Sequence, residues 1–474
     1  MAQLNINKSK VIFSLLAVFA ALFFGLVSLI LVQISGKHYA YLAALPVAII
    51  LGLVFVFNRY FFFILVILSR ASLDSIFNAI KLGSFGLGAV LNALVILIAI
   101  LMVFEKPLKY DIKLDSIKLS WIIFLTLAFV SIFYAPAFVA SLKVFLLFVS
   151  YCSMFTLGLY VVQTQEDFSK WMKMIVYSSF IPSIYAILSM TFGLSGFYHS
   201  LNEGLRLQST FPHPNTYAPY LVIVITVSFY LWRAKPSLVS PTFNKFLPVY
   251  IVLLCFFLLM TKTRSTWVAC YVFFLLYASF HERKLLLPVL LAPFLALLIP
   301  EIRDRVMDLA QGSNFGADGY GRLNSYAWRK QVWTDAINWM SKTHYLFGYG
   351  LASFIHYSTS IIKANAYQMQ TVEINAHSVY VQLFFELGIF GLLSFLYLLY
   401  AHLKALLTVY KRNKLLIFMV IVMMIEYLFM SYSDNLIDYL IYEWYLWFTV
   451  GISLSSVKLS QTKMQSHELK VHST

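Results

Sequence analysis

Arg206, Arg264, Arg329 and His377 carry the strongest chemical signal in this sequence. Arginine stays charged at any physiological pH, and its planar fork of donors fits phosphate oxygens. Several arginines gathered in one pocket read as a site for a polyanion, a diphosphate in particular. A histidine beside them can accept a proton from a hydroxyl near neutral pH. Arginines plus one base make a site for group transfer from a phosphate leaving group. Around Arg206 runs Gly204-Leu-Arg-Leu-Gln-Ser-Thr-Phe-Pro-His-Pro-Asn-Thr-Tyr-Ala218, where Gln208, Ser209, Thr210, His213, Asn215 and Tyr217 add groups able to bond a ligand. Pro212 and Pro214 stiffen this segment. Lys262 stands two residues before Arg264 as a further cation. The sequence has no His-x-x-x-His, Asp-x-Asp or Walker-type glycine loop, so neither a metal nor a cofactor is expected.

Each of these residues also has an ordinary explanation. A lone arginine at the end of a membrane span is commonly a snorkelling anchor. His377 is also readable as a helix-start residue bonded to backbone, and His213 as a loop histidine. Gly348-Tyr-Gly350 reads as a turn before Phe354. The functional reading rests on joint placement, and therefore on the elements that carry these residues.

Those elements are membrane helices. The chain is 61% apolar and 12% charged, about half the charge of an ordinary soluble domain. A bilayer core takes about 20 apolar residues per helix, and backbone in lipid must satisfy its own hydrogen bonds. The apolar runs predict spans near 11–33, 39–57, 60–80, 84–104, 118–134, 138–162, 171–193, 215–232, 246–261, 264–280, 284–300, 377–402, 414–431 and 436–456. The fold class expected is all-α, a polytopic helix bundle of about 12–14 spans. The first run is too long for a signal-peptide core and reads as a retained span. Cys152, Cys255 and Cys270 all lie in apolar runs, which argues against a disulfide framework or a metal cluster. The net charge of +15 does not indicate nucleic acid, because the lysines lie mostly in short connectors, where they set orientation.

Lys8 and Lys10, Lys106 to Lys118, Arg233 to Lys245, Arg283 and Lys284, Lys404 to Lys414, and Lys458 to Lys470 fall on one side if every span is real. The positive-inside rule makes that side cytoplasmic, with both termini there. The 194–214 loop, the 261–264 corner, the 301–376 segment and the 432–435 turn then share the outer face, and all four basic groups go with them. Trp328, Val332, Trp333, Ile337 and Met340 have helical spacing, so 301–376 is expected to lay amphipathic helices over the bundle mouth. The chain divides into a bundle over 1–300, a capping loop over 301–376, C-terminal spans over 377–456 and a tail over 457–474.

The motifs resemble those of the O-antigen ligase and O-antigen polymerase superfamily. Arg206-Leu-Gln-Ser-Thr-Phe-Pro-His-Pro-Asn215 with Ala218 is similar to its Arg-x-x-Gly-Thr-Phe-x-x-Pro-Asn-x-x-Ala pattern. Thr263-Arg-Ser-Thr-Trp267 resembles its Ser-Arg-x-x-Trp corner. Arg329 to Trp333 followed by Leu346-Phe-Gly-Tyr-Gly350 resembles its Arg-x-x-x-Trp and Gly-x-Gly run. Ala376-His-Ser-Val-Tyr-Val-Gln-Leu-Phe-Phe-Glu-Leu-Gly388 resembles its histidine signature. Ser209 stands where glycine is usual, Thr263 where serine is, and Ser378 where asparagine is. The resemblance implies a metal-free glycosyltransferase of the integral C-type class in the bacterial inner membrane, with its site facing the periplasm. Its donor would be a glycan on undecaprenyl diphosphate, and its acceptor a glycan hydroxyl. It implies His377 as base, with Arg206 and Arg264 holding the diphosphate. Arg329, Lys262, Gln208, His213, Asn215 and Tyr380 would bind substrate, and a chain-length regulator and a flippase are candidate partners. Within the superfamily, polymerisation of repeat units is the reading favoured, and ligation to a lipid or protein acceptor is the alternative. A flippase is disfavoured because no internal repeat is visible and the charges group on one face. A structural envelope subunit would leave that grouping without a purpose.

Overall fold

The computed structural model describes residues 50, 52–79, 81–82, 85–105, 115–200, 204–234, 238–307, 324–363 and 374–471. The first expected span, most of the second, and Lys8, Lys10, Lys106, Lys109, Lys113 and Lys235 lie outside the described residues. In chain order the helices are α1 (Arg59–Ala79), α2 (Leu87–Glu105), α3 (Asp115–Ser131), α4 (Phe138–Val161), α5 (Gln165–Tyr177), α6 (Phe180–Phe192), α7 (Pro214–Arg233) and α8 (Pro241–Met260). They continue as α9 (Arg264–Phe280), α10 (Leu286–Ala296), α11 (Pro300–Met307), α12 (Ser325–Trp339), α13 (Ser353–Lys363), α14 (Val379–Val409), α15 (Lys414–Ser433) and α16 (Leu440–Val471). Sheet among the described residues is limited to two short antiparallel ladders, β1–β2 (Lys81–Leu82 with Phe85–Gly86) and β3–β4 (Phe197–Ser200 with Gly204–Leu207). Seven helical stretches among them are long and apolar enough to cross a membrane. The protein is an all-α polytopic membrane protein, as its composition requires.

Two expected spans differ in detail. The 171–193 run starts earlier, at Gln165, and breaks into α5 and α6 at Ser178-Ser179. Pro182 has no N–H to return to the Ser178 carbonyl, and the two serine hydroxyls bond Tyr220 and Tyr250 instead. The 284–300 run folds as a single 3-10 turn and the 11-residue α10, which carries Pro293 and has no buried residue. At 1.5 Å per residue, α10 is about 17 Å long, short of a bilayer core of about 30 Å.

α4 packs along α16 at Gly158 and Gly451. A Cβ on Gly158 would come within 2.8 Å of the Phe448 carbonyl oxygen, so only glycine lets the two backbones approach this closely. Of those seven stretches α7 is the most enclosed, buried over almost its whole length. In the loop segment Val332, Trp333 and Met340 are buried as expected, while Ile337 points outward and Ala336 takes the inner position.

α14 contains a break. Gly388 has φ 66° and ψ −166° inside an otherwise continuous helix. The Tyr345–Gly350 turn fits into the break. Ile389 N–H donates to the Tyr345 carbonyl at 2.8 Å, and Gly350 N–H donates to the Glu386 carbonyl at 2.8 Å. A Cβ on Gly348 would lie 2.4 Å from Glu386 backbone, and one on Gly388 2.3 Å from Leu346 backbone. The two glycine motifs are thus the two halves of one joint. It fixes the outer loop to the helix that follows His377.

A cationic candidate site at the helix ends

Four chain segments meet at one end of the bundle. β4 delivers Arg206, which is 5% exposed. Its Nε donates to the Thr261 carbonyl at 2.9 Å, and its Nη2 to Asn215 Oδ1 at 2.7 Å and Thr263 Oγ1 at 3.0 Å. Arg206 therefore ties the β3–β4 hairpin to the start of α7 and to the corner between α8 and α9. The corner turns at Lys262, whose φ of 53° is left-handed. Ser209 also has positive φ, 54°, which accounts for glycine being usual at that place in the pattern. Thr210 Oγ1 donates to the Ala71 carbonyl at 2.9 Å and fixes the segment against α1.

Arg264 opens α9. Its Nη1 donates to the Arg305 carbonyl at 3.0 Å and its Nη2 to Ser325 Oγ. Arg305, on α11, donates from Nε to the Lys262 carbonyl at 3.3 Å. Arg329 comes from α12, and its Nε is buried with no hydrogen-bond partner among the described residues. Arg206, Lys262, Arg264, Arg305 and Arg329 all line one cavity of about 390 Å³, together with Asn215, Tyr326 and a single carboxylate, Asp434. Val268 and Phe429 supply apolar wall. Five cations around one carboxylate focus a positive potential that favours a polyanionic ligand.

His377 is one step behind that wall. Its φ is 51°, immediately before α14, and its Nδ1 lies 4.0 Å from Asp434 Oδ1. The ring packs edge-on against Trp328 at 5.4 Å, and the preceding Ala376 carbonyl accepts from Trp333 Nε1 at 2.6 Å. Asp434 Oδ1 accepts from the Tyr439 hydroxyl at 2.5 Å and the Asn435 N–H at 3.0 Å. Burial alone would raise the Asp434 pKa, but His377, the Arg329 charge and the Tyr439 hydroxyl outweigh it and hold the carboxyl below its ordinary range. Asp438, four residues on, is pushed up to about 6, mainly by burial and partly by the neighbouring Asp434.

The structure thus brings Arg206, Arg264, Arg329, Lys262 and Asn215 to one cavity, with His377 adjacent through Asp434. Other expected site residues have structural partners. His213 caps α7, its Nδ1 accepting the Asn215 N–H at 3.1 Å and its ring lying 4.6 Å from Tyr198. Tyr380 donates to the Leu428 carbonyl at 2.6 Å. Gln208 is not among the cavity-lining residues; its backbone N–H donates to the Gly196 carbonyl, while its side-chain Oε1 is buried with no hydrogen-bond partner among the described residues. Arg305 and Asp434 belong to the site and were not singled out from the sequence. The Ser433-Asp-Asn435 interruption between two apolar runs is a signal for Asp434, whereas Arg305 has no spacing that marks it.

The fold and the cavity define a class: a polytopic helical membrane protein with a cationic pocket at the helix ends. Residues 249–396 match the profile of a family described as O-antigen ligase, which supports placing the chain in the O-antigen ligase and polymerase superfamily. The match takes in the 261–264 corner, Arg305, Arg329, His377 and the glycine joint; Arg206 and Asp434 lie outside it. No curated protein matches the chain.

Proposed function

We propose that this protein is a membrane glycosyltransferase that moves a glycan from a polyprenyl diphosphate to an acceptor hydroxyl at the extracytoplasmic face. The observation that carries the reading is the gathering of five cations around one cavity whose single carboxylate faces a histidine. Sidedness follows from charge. Arg233, Lys284 and Lys414 mark the ends of α7, α9 and α15 remote from the cavity. The positive-inside rule puts those ends in the cytoplasm.

In this reading Lys262, Arg264, Arg305 and Arg329 grip the diphosphate. Arg206, already bonded on three sides, holds the corner in shape and adds its charge. The acceptor oxygen bonds to the anomeric carbon, and the bond from that carbon to the diphosphate oxygen breaks. The diphosphate leaves with the electron pair while His377 takes the hydroxyl proton. Asp434 steadies the imidazolium that forms. Fixed guanidinium groups stabilise the developing charge without reorganising, which is where most of such rate enhancement arises.

We take the acceptor to be a second repeat unit, which makes the enzyme a polymerase of capsular polysaccharide, exopolysaccharide or O-antigen. The family's description favours ligation as the second reading. A deletion strain separates the two: single repeat units at the surface mean polymerase, and long chains retained on the carrier lipid mean ligase. For the mechanism, His377→Ala and Arg264→Ala are each expected to abolish product while the protein still reaches the membrane. Normal polysaccharide from both variants would overturn it.

A further inference from the structure

The wall of the cavity also carries aromatic surface that the diphosphate reading does not use. Four of its cations, Arg206, Lys262, Arg264 and Arg305, come from β4, the α8–α9 corner and α11, and the fifth, Arg329, stands one turn along α12 from Tyr326. The carboxylate Asp434 comes from the far end of α15, and the tyrosine Tyr326 from the start of α12. Beside Tyr326 stands Tyr432, two residues before Asp434. The two hydroxyls are 3.4 Å apart, and the rings are 42% and 49% exposed. Trp333 backs this pair, its ring 5.3 Å from that of Tyr432 at 70°. The same Trp333 holds the Ala376 carbonyl next to His377. Two exposed aromatic rings are therefore braced against the residue that positions the base, at the margin of the cationic cavity.

A glycosyl diphosphate would use both kinds of wall. One end is a polyanion. The other is a sugar ring with hydroxyls at its rim and apolar C–H bonds on its faces. Aromatic faces carry negative charge density that attracts such C–H edges, and tyrosine offers large rigid contact at low entropic cost with a hydroxyl for bonding. We infer that Tyr326 and Tyr432 form a stacking subsite for the glycosyl unit next to the diphosphate. The anomeric carbon is then presented to the Asp434–His377 pair. This inference rests on the glycosyltransferase reading above and names the subsite that reading lacks.

The test uses purified full-length protein in lipid nanodiscs and two probes: polyprenyl diphosphate, which reads the cations alone, and polyprenyl-diphosphate-linked glycan, which reads the cations and the tyrosines. Tyr432→Ala is expected to weaken binding of the glycan-bearing probe by about tenfold or more while leaving the bare diphosphate within about twofold. Tyr432→Phe keeps the ring and is expected to bind both as wild type does. Tyr326→Ala repeats the test from the other element. Equal weakening of both probes by the alanine variants would mean a structural or interfacial role and would overturn the subsite. No weakening of either would do the same. If wild-type protein binds neither probe, the glycosyltransferase reading fails, and the subsite with it.

Discussion

Replacing Asp434 with asparagine tests the core of the mechanism in a signed way. The carboxylate Oδ1 is 4.0 Å from His377 Nδ1. Two unit charges at that separation attract by about 4 kcal/mol at an effective dielectric near 20. His377 keeps 29% of its side-chain surface exposed, so solvent screening brings the expected interaction toward about 2 kcal/mol. These bounds convert to a loss of about 30- to 1,000-fold in kcat, because the attraction develops only as the imidazole takes its proton. Asparagine keeps an oxygen in place for the Tyr439 hydroxyl and the Asn435 N–H, so the geometry of the turn survives. The substitution also removes the one carboxylate among five cations on the cavity wall. Binding of bare polyprenyl diphosphate is therefore expected to tighten. The assay is the initial rate of polyprenyl diphosphate release from lipid-linked glycan, with product inhibition measured alongside. A misfolded variant would lose both rate and binding. A kcat within about threefold of wild type would refute the argument that Asp434 stabilises the reacting histidine.

Further consequences follow from the same geometry. Gly388→Ala places a Cβ 2.3 Å from Leu346 backbone at a φ and ψ open essentially to glycine alone, and is expected to destabilise by about 3 kcal/mol or more, read as a lower thermal midpoint in detergent. Arg305→Gln should raise the dissociation constant for polyprenyl diphosphate by about tenfold, measured by titration, with the fold retained because glutamine can still donate to the Lys262 carbonyl. Asp438 is raised from 3.8 to about 6. Its ionisation therefore opposes folding, with the penalty absent below 3.8, growing up to about 6 and constant above. The ceiling is about 3 kcal/mol, discounted for the surface it keeps exposed. Asp438→Asn should accordingly raise the melting temperature at neutral pH, with the gain fading by about pH 4 in a pH series of melts. His213→Ala should lower stability by about 1 kcal/mol as a lost helix cap while leaving kcat nearly unchanged.

The spanning helices were legible because lipid leaves a chain no alternative to satisfying its own backbone, and long apolar runs announce where it does so. Arg206, Arg264 and Arg329 were legible only jointly: a lone arginine at a span end is commonly an anchor, but the topology sends all three to one face. The bonding state of each arginine was not legible. The sequence does not distinguish Arg206, bonded to three neighbours, from Arg329, whose Nε has no partner among the described residues. Nor does it show His213 as a cap or Tyr380 as a donor to another span, because both depend on a neighbour's backbone. Arg305 looks like one more charge in a polar loop until α11 turns it toward the corner. Asp434 sits in a turn of three polar residues, where capping is as good an explanation as chemistry until His377 is found beside it.

Backbone strain marks the same places as charge. Of the non-glycine residues with left-handed φ among those described, Ser209 lies in the Arg206 segment, Lys262 at the corner, and His377 before α14. The fourth, Ala352, follows the glycine joint. Each such conformation costs about 1 to 3 kcal/mol and persists only where its surroundings over-determine it. The surroundings are visible in each case. Ser209 Oγ is held on the Pro182 carbonyl at 2.6 Å, the Lys262 carbonyl receives Arg305, and Trp333 fixes the carbonyl just before His377. Strain kept at the cavity wall and in two segments next to it, each point pinned by a bond from a different element, is hard to explain as loop irregularity. It is what a bundle would need in order to hold four guanidinium groups, an ammonium group and an imidazole at fixed separations while its own turns would otherwise relax.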